Sequence, residues 1–419
     1  MNDQIVRFSK TFGPGILFAS TAIGVSHLVQ STRAGAEYGF LLIGFVILAT
    51  LLKYPFFEYG SRYANVTGTS IIDGYNKLGK PILVLYFVIT IASMFFVTAA
   101  VGFVTAGFLE NLFQIDFLGT WSIVILFGVC TGILSIGKFK TLDGLIKIIG
   151  SVLVVSTFLA FILALINGPV DQINDFQPPE IWNHAGIFFL IALMGWMPMP
   201  VDISSWHSLW TIARIKQTNF KPKLKETLLD FNLGYFVTGI IAIFFVTLGA
   251  YIFFGTGHEL PNNNSLFAHN VVTLFTETIG QWSYLIIAAS AFSIMFGTII
   301  AVFDGYSRSI ERVTQLLTNQ TDENKKTKLK KTYELSIFSL VIGSLIVVLV
   351  FQNNLKELVD FATIVSFLVA PIIAIFNFKL VTAKTFAKFA HPPIWLKILS
   401  YAGIIFLIGF ALLFIVTRF

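Results

Sequence analysis

The sequence predicts an all-α, polytopic membrane protein of eleven transmembrane helices, two of them broken at mid-membrane. Three observations carry the prediction: charge is scarce, apolar stretches long enough to cross a bilayer recur along the whole chain, and Lys and Arg gather in alternate connections.

Of the 419 residues, 56% are hydrophobic, 15% aromatic and 12% charged, with 45 Phe. Soluble domains carry about 25% charged residues, so lipid rather than water is expected to solvate most side chains here. Mean hydropathy is +0.81. A soluble fold would need a core larger than one domain encloses. The single cysteine, Cys130, lies in an apolar run and reads as a buried structural thiol, with no intramolecular disulfide open to it. The N-terminal MNDQIVRFSKTFGPG lacks a signal peptide with a cleavage site.

A membrane helix needs about 20 mostly apolar residues. Such stretches fall at 12–37, 39–62, 81–109, 120–137, 143–167, 184–212, 231–254, 280–308, 333–352, 357–380 and 394–417. They form a single transmembrane domain over 1–419. Its expected parts are a first repeat at about 12–167, a second at about 184–380 and an extra helix at 394–417.

With the N-terminus placed in the cytoplasm, all Lys and Arg except Arg33, Lys356 and Arg418 fall on inside segments. Lys53, Arg62, Lys77 and Lys80 are counted there, as are the runs KPKLKE and KKTKLKK. Outer segments hold Asp171, Asp175, Glu180 and Glu259. This is the positive-inside pattern. It puts the C-terminus outside and explains the net charge of +6 as orientation rather than nucleic-acid binding. The basic runs read as solvated loops, with anionic lipid headgroups as the other reading. GHELPNNNS and TNQTDENKKTKLKK are the long polar loops, and no separate soluble domain is expected.

The first and sixth spans are unusual. The first carries Ala22-Ile23-Gly24-Val25-Ser26-His27 at bilayer depth. Glycine there permits unwinding, and polar groups in a membrane helix point to function. The sixth carries Met197-Pro198-Met199-Pro200-Val201-Asp202-Ile203-Ser204-Ser205. Each proline removes an N–H and clashes with the preceding turn, and Asp202, Ser204 and Ser205 suit the start of a new half-helix. Interruptions at matching positions of two five-helix halves mark a transporter binding site; the other reading is a pair of incidental kinks.

The chain resembles the Nramp family of transporters. The resemblance runs through Gly13-Pro14, Ala34-Gly35, Tyr38-Gly39-Phe40, Thr67-Gly68 and Lys138-Phe139-Lys140-Thr141-Leu142. It continues in the Met-Pro of span six and in Asp304-Gly305-Tyr306, where the family has Glu-Gly-Phe. It covers at least spans one to ten and implies the LeuT-type inverted-repeat fold. Members that carry manganese or iron have Asp-Pro-Gly-Asn at the first break, where this chain has Gly24-Val25-Ser26-His27. The family's Met-Pro-His becomes Met197-Pro198-Met199 or Met199-Pro200-Val201, so a histidine associated with proton movement is missing. The altered strings look like a branch associated with bicarbonate uptake.

A dehydrated divalent cation needs negative charge at mid-membrane, and near the breaks only Asp202 supplies it. The half-helix N-termini point N–H groups and positive dipole ends inward. Joined by Ser26, Ser204, Ser205 and the His27 ring, they suit a small anion. The expected substrate site is therefore Gly24, Ser26, His27, Met199, Val201, Asp202, Ser204, Ser205 and Thr363. The expectation is symport of a small inorganic anion, bicarbonate by preference, with sodium as coupling ion. Sodium is expected at Ala22, Val25, Ser290, Ser293 and Thr298, unless those hydroxyls only bond back to their own helix. Proton coupling through His27 or Asp202 is the rival.

The alternative is a manganese or magnesium carrier using Asp202, His27 and Met197; a sensor or channel on the same scaffold is a third class. His207 is expected to be structural or to line the entrance, and Asp304 and Arg308 to pair at i, i+4. His184, His258, His269 and His391 carry no signal. No nucleophile–base–orienter set or metal-hydrolase motif suggests an enzyme or a cofactor. A bacterial inner membrane is the expected location and a monomer the simplest state, with partners limited to the small ion and the bilayer.

Overall fold

A helix lies on each of the eleven expected stretches in the computed structural model, which describes residues 11, 13–136, 139–174, 176–257, 259–318, 326–351 and 354–418. The first span is α1 (Pro14–Ala22), a π-helical turn (Ser26–Ser31) and α2 (Thr32–Tyr38). There follow α3 (Ile43–Thr67), a short α4 (Ile71–Leu78), α5 (Lys80–Phe113), α6 (Thr120–Ile136) and α7 (Phe139–Asn167). The sixth span is α8 (His184–Gly195) and α9 (Ser204–Thr218). The rest are α10 (Leu224–Ile252), α11 (Asn264–Ile279), α12 (Tyr284–Leu317), α13 (Lys326–Val350), α14 (Leu355–Thr382) and α15 (Ile394–Arg418). Among the described residues there is no strand. Among the described residues, seven helices are long and apolar enough to cross a membrane, and segments of α6, α7 and α8 are shorter apolar helices.

Local chemistry sets the boundaries. Pro14 opens α1, where its missing N–H is no loss. Gly39 and Gly68, both at positive φ, end α2 and α3. The helices α4 and α11 lie outside the predicted spans. A capping box starts α4: Ser70 N–H donates to Asp73 at 3.0 Å and Asp73 N–H to Ser70 Oγ at 3.4 Å. Asn263 caps α11 through Leu266 N–H at 3.0 Å, inside the polar segment expected to be a loop.

At 34 residues each, α5 and α12 are about 51 Å long, well beyond a hydrocarbon core of roughly 30 Å. They pack along each other.

Both halves of the first span lie against α10. A Cβ on Gly15 would fall 2.0 Å from the Asp230 carbonyl oxygen, and one on Gly234 would fall 2.2 Å from that of Gly15. Further along, a Cβ on Gly35 would fall 2.0 Å from the Val246 carbonyl oxygen, and one on Gly249 would fall 2.3 Å from that of Thr32. Small residues let membrane helices bring their backbones together in this way. The Asp230 carboxylate also receives Gly15 N–H at 2.7 Å and Gly13 N–H at 3.3 Å, an anion at the positive end of α1.

The charge reading needs correction at two residues. Lys53 and Arg62 are not loop cations but buried side chains inside α3. Arg62 forms an ion pair with Glu58 and donates to the Ala390 carbonyl at 2.8 Å. Arg7, Lys10, Lys138, Asp175, His258 and Lys325 lie outside the described residues, as do the side chains of Lys140, Lys147, Lys326, Lys328, Lys330 and Arg418.

Candidate functional site

The first break falls at Ile23-Gly24. Helix α1 stops at Ala22, and the chain re-enters helix with His27 and Leu28 N–H donating to the Gly24 carbonyl at 3.0 and 2.9 Å. Gly24 packs closely on α12: a Cβ there would meet Thr298 Oγ1 at 3.0 Å. The second break spans Trp196–Pro200 between α8 and a short 3₁₀ turn, Val201–Ile203, that leads into α9.

The two breaks face one another across a small cavity of about 30 Å³. Thr21, Ala22, Val25 and Ser26 line it from the first span. Trp196, Met199, Pro200 and Ile203 line it from the second break. Val97 and Val101 of α5 and Thr298 and Val302 of α12 close its sides. The volume suits about one water molecule or a small ion.

Of the residues expected to bind substrate, the structure brings Ser26 and Met199 to this cavity; of those expected to bind sodium, it brings Ala22, Val25 and Thr298. It also settles the register of the sixth span, because Met199 rather than Met197 faces the cavity.

The remaining expected residues do not line it, for identifiable reasons. Gly24 backs onto Thr298, and Val201 is buried in the 3₁₀ turn. His27 turns away, its Nε2 2.8 Å from the Thr238 carbonyl on α10 and its Nδ1 2.8 Å from Ser26 Oγ. The carbonyl requires a proton on Nε2, which leaves Nδ1 as acceptor in the neutral ring. Ser204 Oγ receives Asn377 Nδ2 at 2.8 Å. Ser205 Oγ donates to the Asp202 carbonyl at 2.7 Å and receives Tyr86 OH at 2.8 Å. Thr363 Oγ1 donates to the Asp360 carbonyl at 2.8 Å. Ser290 is buried in α12 and Ser293 partly so, both away from the cavity lining.

Of the alternative metal set, His27 faces α10, and Met197 does not line the cavity. Among the described residues no group of three or more His, Cys, Asp or Glu could hold a metal. The expected donor-lined pocket is instead mostly apolar, with three hydroxyls resting on backbone carbonyls. Thr21 Oγ1 lies 2.7 Å from Leu17 O and Thr298 Oγ1 3.3 Å from Ser20 O, while the single Ser26 hydroxyl proton is shared between Ala22 O and His27 Nδ1, each at 2.8 Å.

The charge at this site comes from a residue that the sequence reading placed elsewhere. Lys53 is fully buried, and its ammonium lies 2.9 Å from the carbonyl oxygens of Met194, Gly195 and Met197 and 3.1 Å from that of Met199. It therefore sits at the negative end of α8, on the carbonyls that the break leaves without helical partners. Gly60 lets α3 reach it: a Cβ there would fall 2.5 Å from the Ser204 carbonyl oxygen. Asp202 is buried as well and acts on Lys53 through its charge, but its Oδ1 has no hydrogen-bond partner among the described residues.

Ion pairs flank the site. Toward the end of the bundle that carries Arg33, the guanidinium holds Asp360 of α14 at 2.7 and 3.2 Å, Gln30 at 3.2 Å and Glu37 at 3.1 Å. It also stacks 4.7 Å from the centre of the Phe189 ring. Elsewhere Asp304 pairs with Arg308 at 2.7 Å, as expected, and receives Tyr333 OH at 2.9 Å. Asp73 pairs with Arg312. His207 is buried against α3: its Nδ1 lies 2.6 Å from Ser61 Oγ, and its ring packs on Phe18 and Phe231.

The fold and the sequence place the chain among known proteins. An uncharacterised protein of Pasteurella multocida is 35% identical over 409 residues, covering 97% of this chain and 92% of that one. The divalent metal cation transporter MntH of Listeria welshimeri is 22% identical over 436 residues, covering 96% and 88%. The crystal structure of an Eremococcus coleocola manganese transporter superposes with a TM-score of 0.69 at 14% identity, over 99% of this chain and 87% of that one. That likeness shows a shared fold, which is of the LeuT type. The family profile described as natural resistance-associated macrophage protein-like matches residues 15–417. The chain belongs to this family, Nramp, and is a membrane transporter built on its fold.

Proposed function

We propose that this protein is a secondary-active carrier of a small inorganic anion, bicarbonate by preference, which passes through the cavity between the two breaks. The Lys53 ammonium in the second break carries this reading. It puts a basic side chain behind Met199, bonded to that residue's carbonyl, and Met199 lines the cavity. Among the described residues no carboxylate lines the cavity. A divalent cation entering there would meet like charge and find the Met199 carbonyl already engaged, whereas it needs anionic oxygen ligands. An anion would meet the ammonium's field, the N-terminus of the half-helix beyond Gly24, and the hydroxyls of Thr21, Ser26 and Thr298. Turning each hydroxyl toward substrate exchanges one hydrogen bond for another, a difference of about 1 kcal/mol.

One negative charge entering a negative cytoplasm costs about 2.3 kcal/mol per 100 mV, so a coupling ion is needed. Sodium is the proposed partner, held near Thr298, which lines the cavity and donates to the Ser20 carbonyl. The proposed setting is a bacterial inner membrane, with the N-terminus cytoplasmic, the C-terminus outside and the monomer as the working unit.

The relatives named as divalent metal carriers and the Met199 thioether support a second reading, transport of manganese. Proteoliposomes separate the two. Labelled bicarbonate is expected to accumulate when an inward sodium gradient is imposed, and external manganese is expected to leave an internal metal-sensitive dye unchanged. Manganese uptake without bicarbonate movement would sink the anion reading. Ser26→Ala is expected to raise the KM for bicarbonate about tenfold, the effect of one hydrogen bond to a charged group, and to lower the thermal midpoint because buried His27 Nδ1 loses its donor. An unaltered KM would remove Ser26 from the substrate site.

A further inference from the structure

We infer that the second break contains a built-in site for a small monovalent cation, and that the Lys53 side chain occupies it as a tethered ligand. The inference goes beyond the substrate reading and does not depend on what the cavity carries.

The geometry is that of an ion cage rather than a hydrogen-bonding fork. An ammonium has three protons, yet four carbonyl oxygens, of Met194, Gly195, Met197 and Met199, surround Lys53 Nζ within 3.1 Å. No side-chain oxygen hydrogen-bonds to Nζ. Converging backbone carbonyls are what replace the hydration shell of a monovalent cation in ion-selective membrane proteins. Here the break supplies them, because α8 stops at Gly195 and the chain curls through Met197 and Met199 before helix resumes.

A second observation points the same way. Asp202 is buried with Oδ1 unpartnered among the described residues, and Lys53 is the cation whose charge acts on it. The surroundings of the cage are therefore matched to a single positive charge, whether or not it is covalently attached. Ammonium and potassium fit the chemistry; a divalent ion does not, since neutral carbonyls and one carboxylate leave it undercompensated.

Removing the tether should open the cage to a free ion. Lys53→Ala takes away both the ammonium and its stem, whereas Lys53→Met removes the charge and keeps the passage filled. Thermal midpoints of full-length protein in detergent are compared in ammonium, potassium, sodium and choline chlorides at equal ionic strength. For Lys53→Ala a saturable rise of several degrees is expected with ammonium or potassium over choline, because a ligand that binds only the folded state raises its stability. The native protein and Lys53→Met are expected to give the same midpoint in all four salts. If Lys53→Ala is not recovered folded, the double variant Lys53→Ala/Asp202→Asn, which also removes the unpaired carboxylate, carries the same test. The inference is overturned if small cations act no differently from choline, if Lys53→Met responds as strongly as Lys53→Ala, or if neither alanine variant is recovered even with ammonium present throughout.

Discussion

Lys53→Met is expected to reduce uptake at least a hundredfold and to lower the thermal midpoint sharply. Methionine matches the length of the lysine stem and keeps its packing, so the change isolates the ammonium. Four carbonyls at the second break lose their shared donor, and Asp202 loses the cation that acts on it. A hydrogen bond to a charged group is worth about 1.5–3 kcal/mol, so losing two of these or more costs roughly 3–5 kcal/mol. Since 1.4 kcal/mol is a factor of ten, the competent conformation falls by roughly two to three orders of magnitude. Adding Asp202→Asn is expected to restore part of the loss, because the uncompensated carboxylate goes too; a double-mutant cycle on the midpoint reads that coupling. Near-native uptake by Lys53→Met would show that the ammonium is neither structural nor functional.

Asp360→Ala is the second large effect. The Arg33 guanidinium is almost fully enclosed, held by two Asp360 oxygens, Gln30 and Glu37 and stacked on Phe189. Without Asp360 its one remaining anionic partner among the described residues is Glu37, itself about a third exposed. The loss is that of a broken buried pair, about 3–5 kcal/mol. Asp360 also receives Gln30 Nε2 at 2.8 Å, so the bond between α2 and α14 goes as a unit. Asp360→Asn keeps the hydrogen-bonding shape without the charge and is expected to lose less. The readouts are the thermal midpoint and alkylation of a cysteine placed at Gln30. The background is low because Cys130, the one native cysteine, is fully buried. Faster alkylation in Asp360→Ala than in the Asp360→Asn protein is expected; equal rates would mean the cluster does not hold this end closed.

Much of this architecture can be read from the chain. Twenty-residue apolar runs, the Gly24 interruption and the paired prolines have local signatures, and each appears where expected. The site is less legible, for three physical reasons. Lys53 lies inside an apolar run, and a count of positive charges by segment assigns it to the nearest loop; only the three-dimensional meeting of α3 with the second break shows what the ammonium serves. Ser204, Ser205 and Thr363 are polar and next to the breaks, but hydroxyls accept backbone and neighbouring partners so readily that sequence proximity does not say which way they point. The Arg33–Asp360 pair joins residues 327 positions apart, and no local pattern encodes such a partner.

The fastening of the first span to α10 changes what the Gly24 break can do. A broken helix is usually pictured as a free joint. Here α10 runs past both pieces as a splint, in backbone contact with α1 through Gly15 and Gly234 and with α2 through Gly35 and Gly249. The His27 ring rivets the middle through the Thr238 carbonyl. The two pieces cannot swing relative to each other unless α10 bends with them or one set of contacts lets go. Rocking of the first span is thus a motion of three helical segments moving as one lever, and the rivet at Thr238 is where that lever would have to yield.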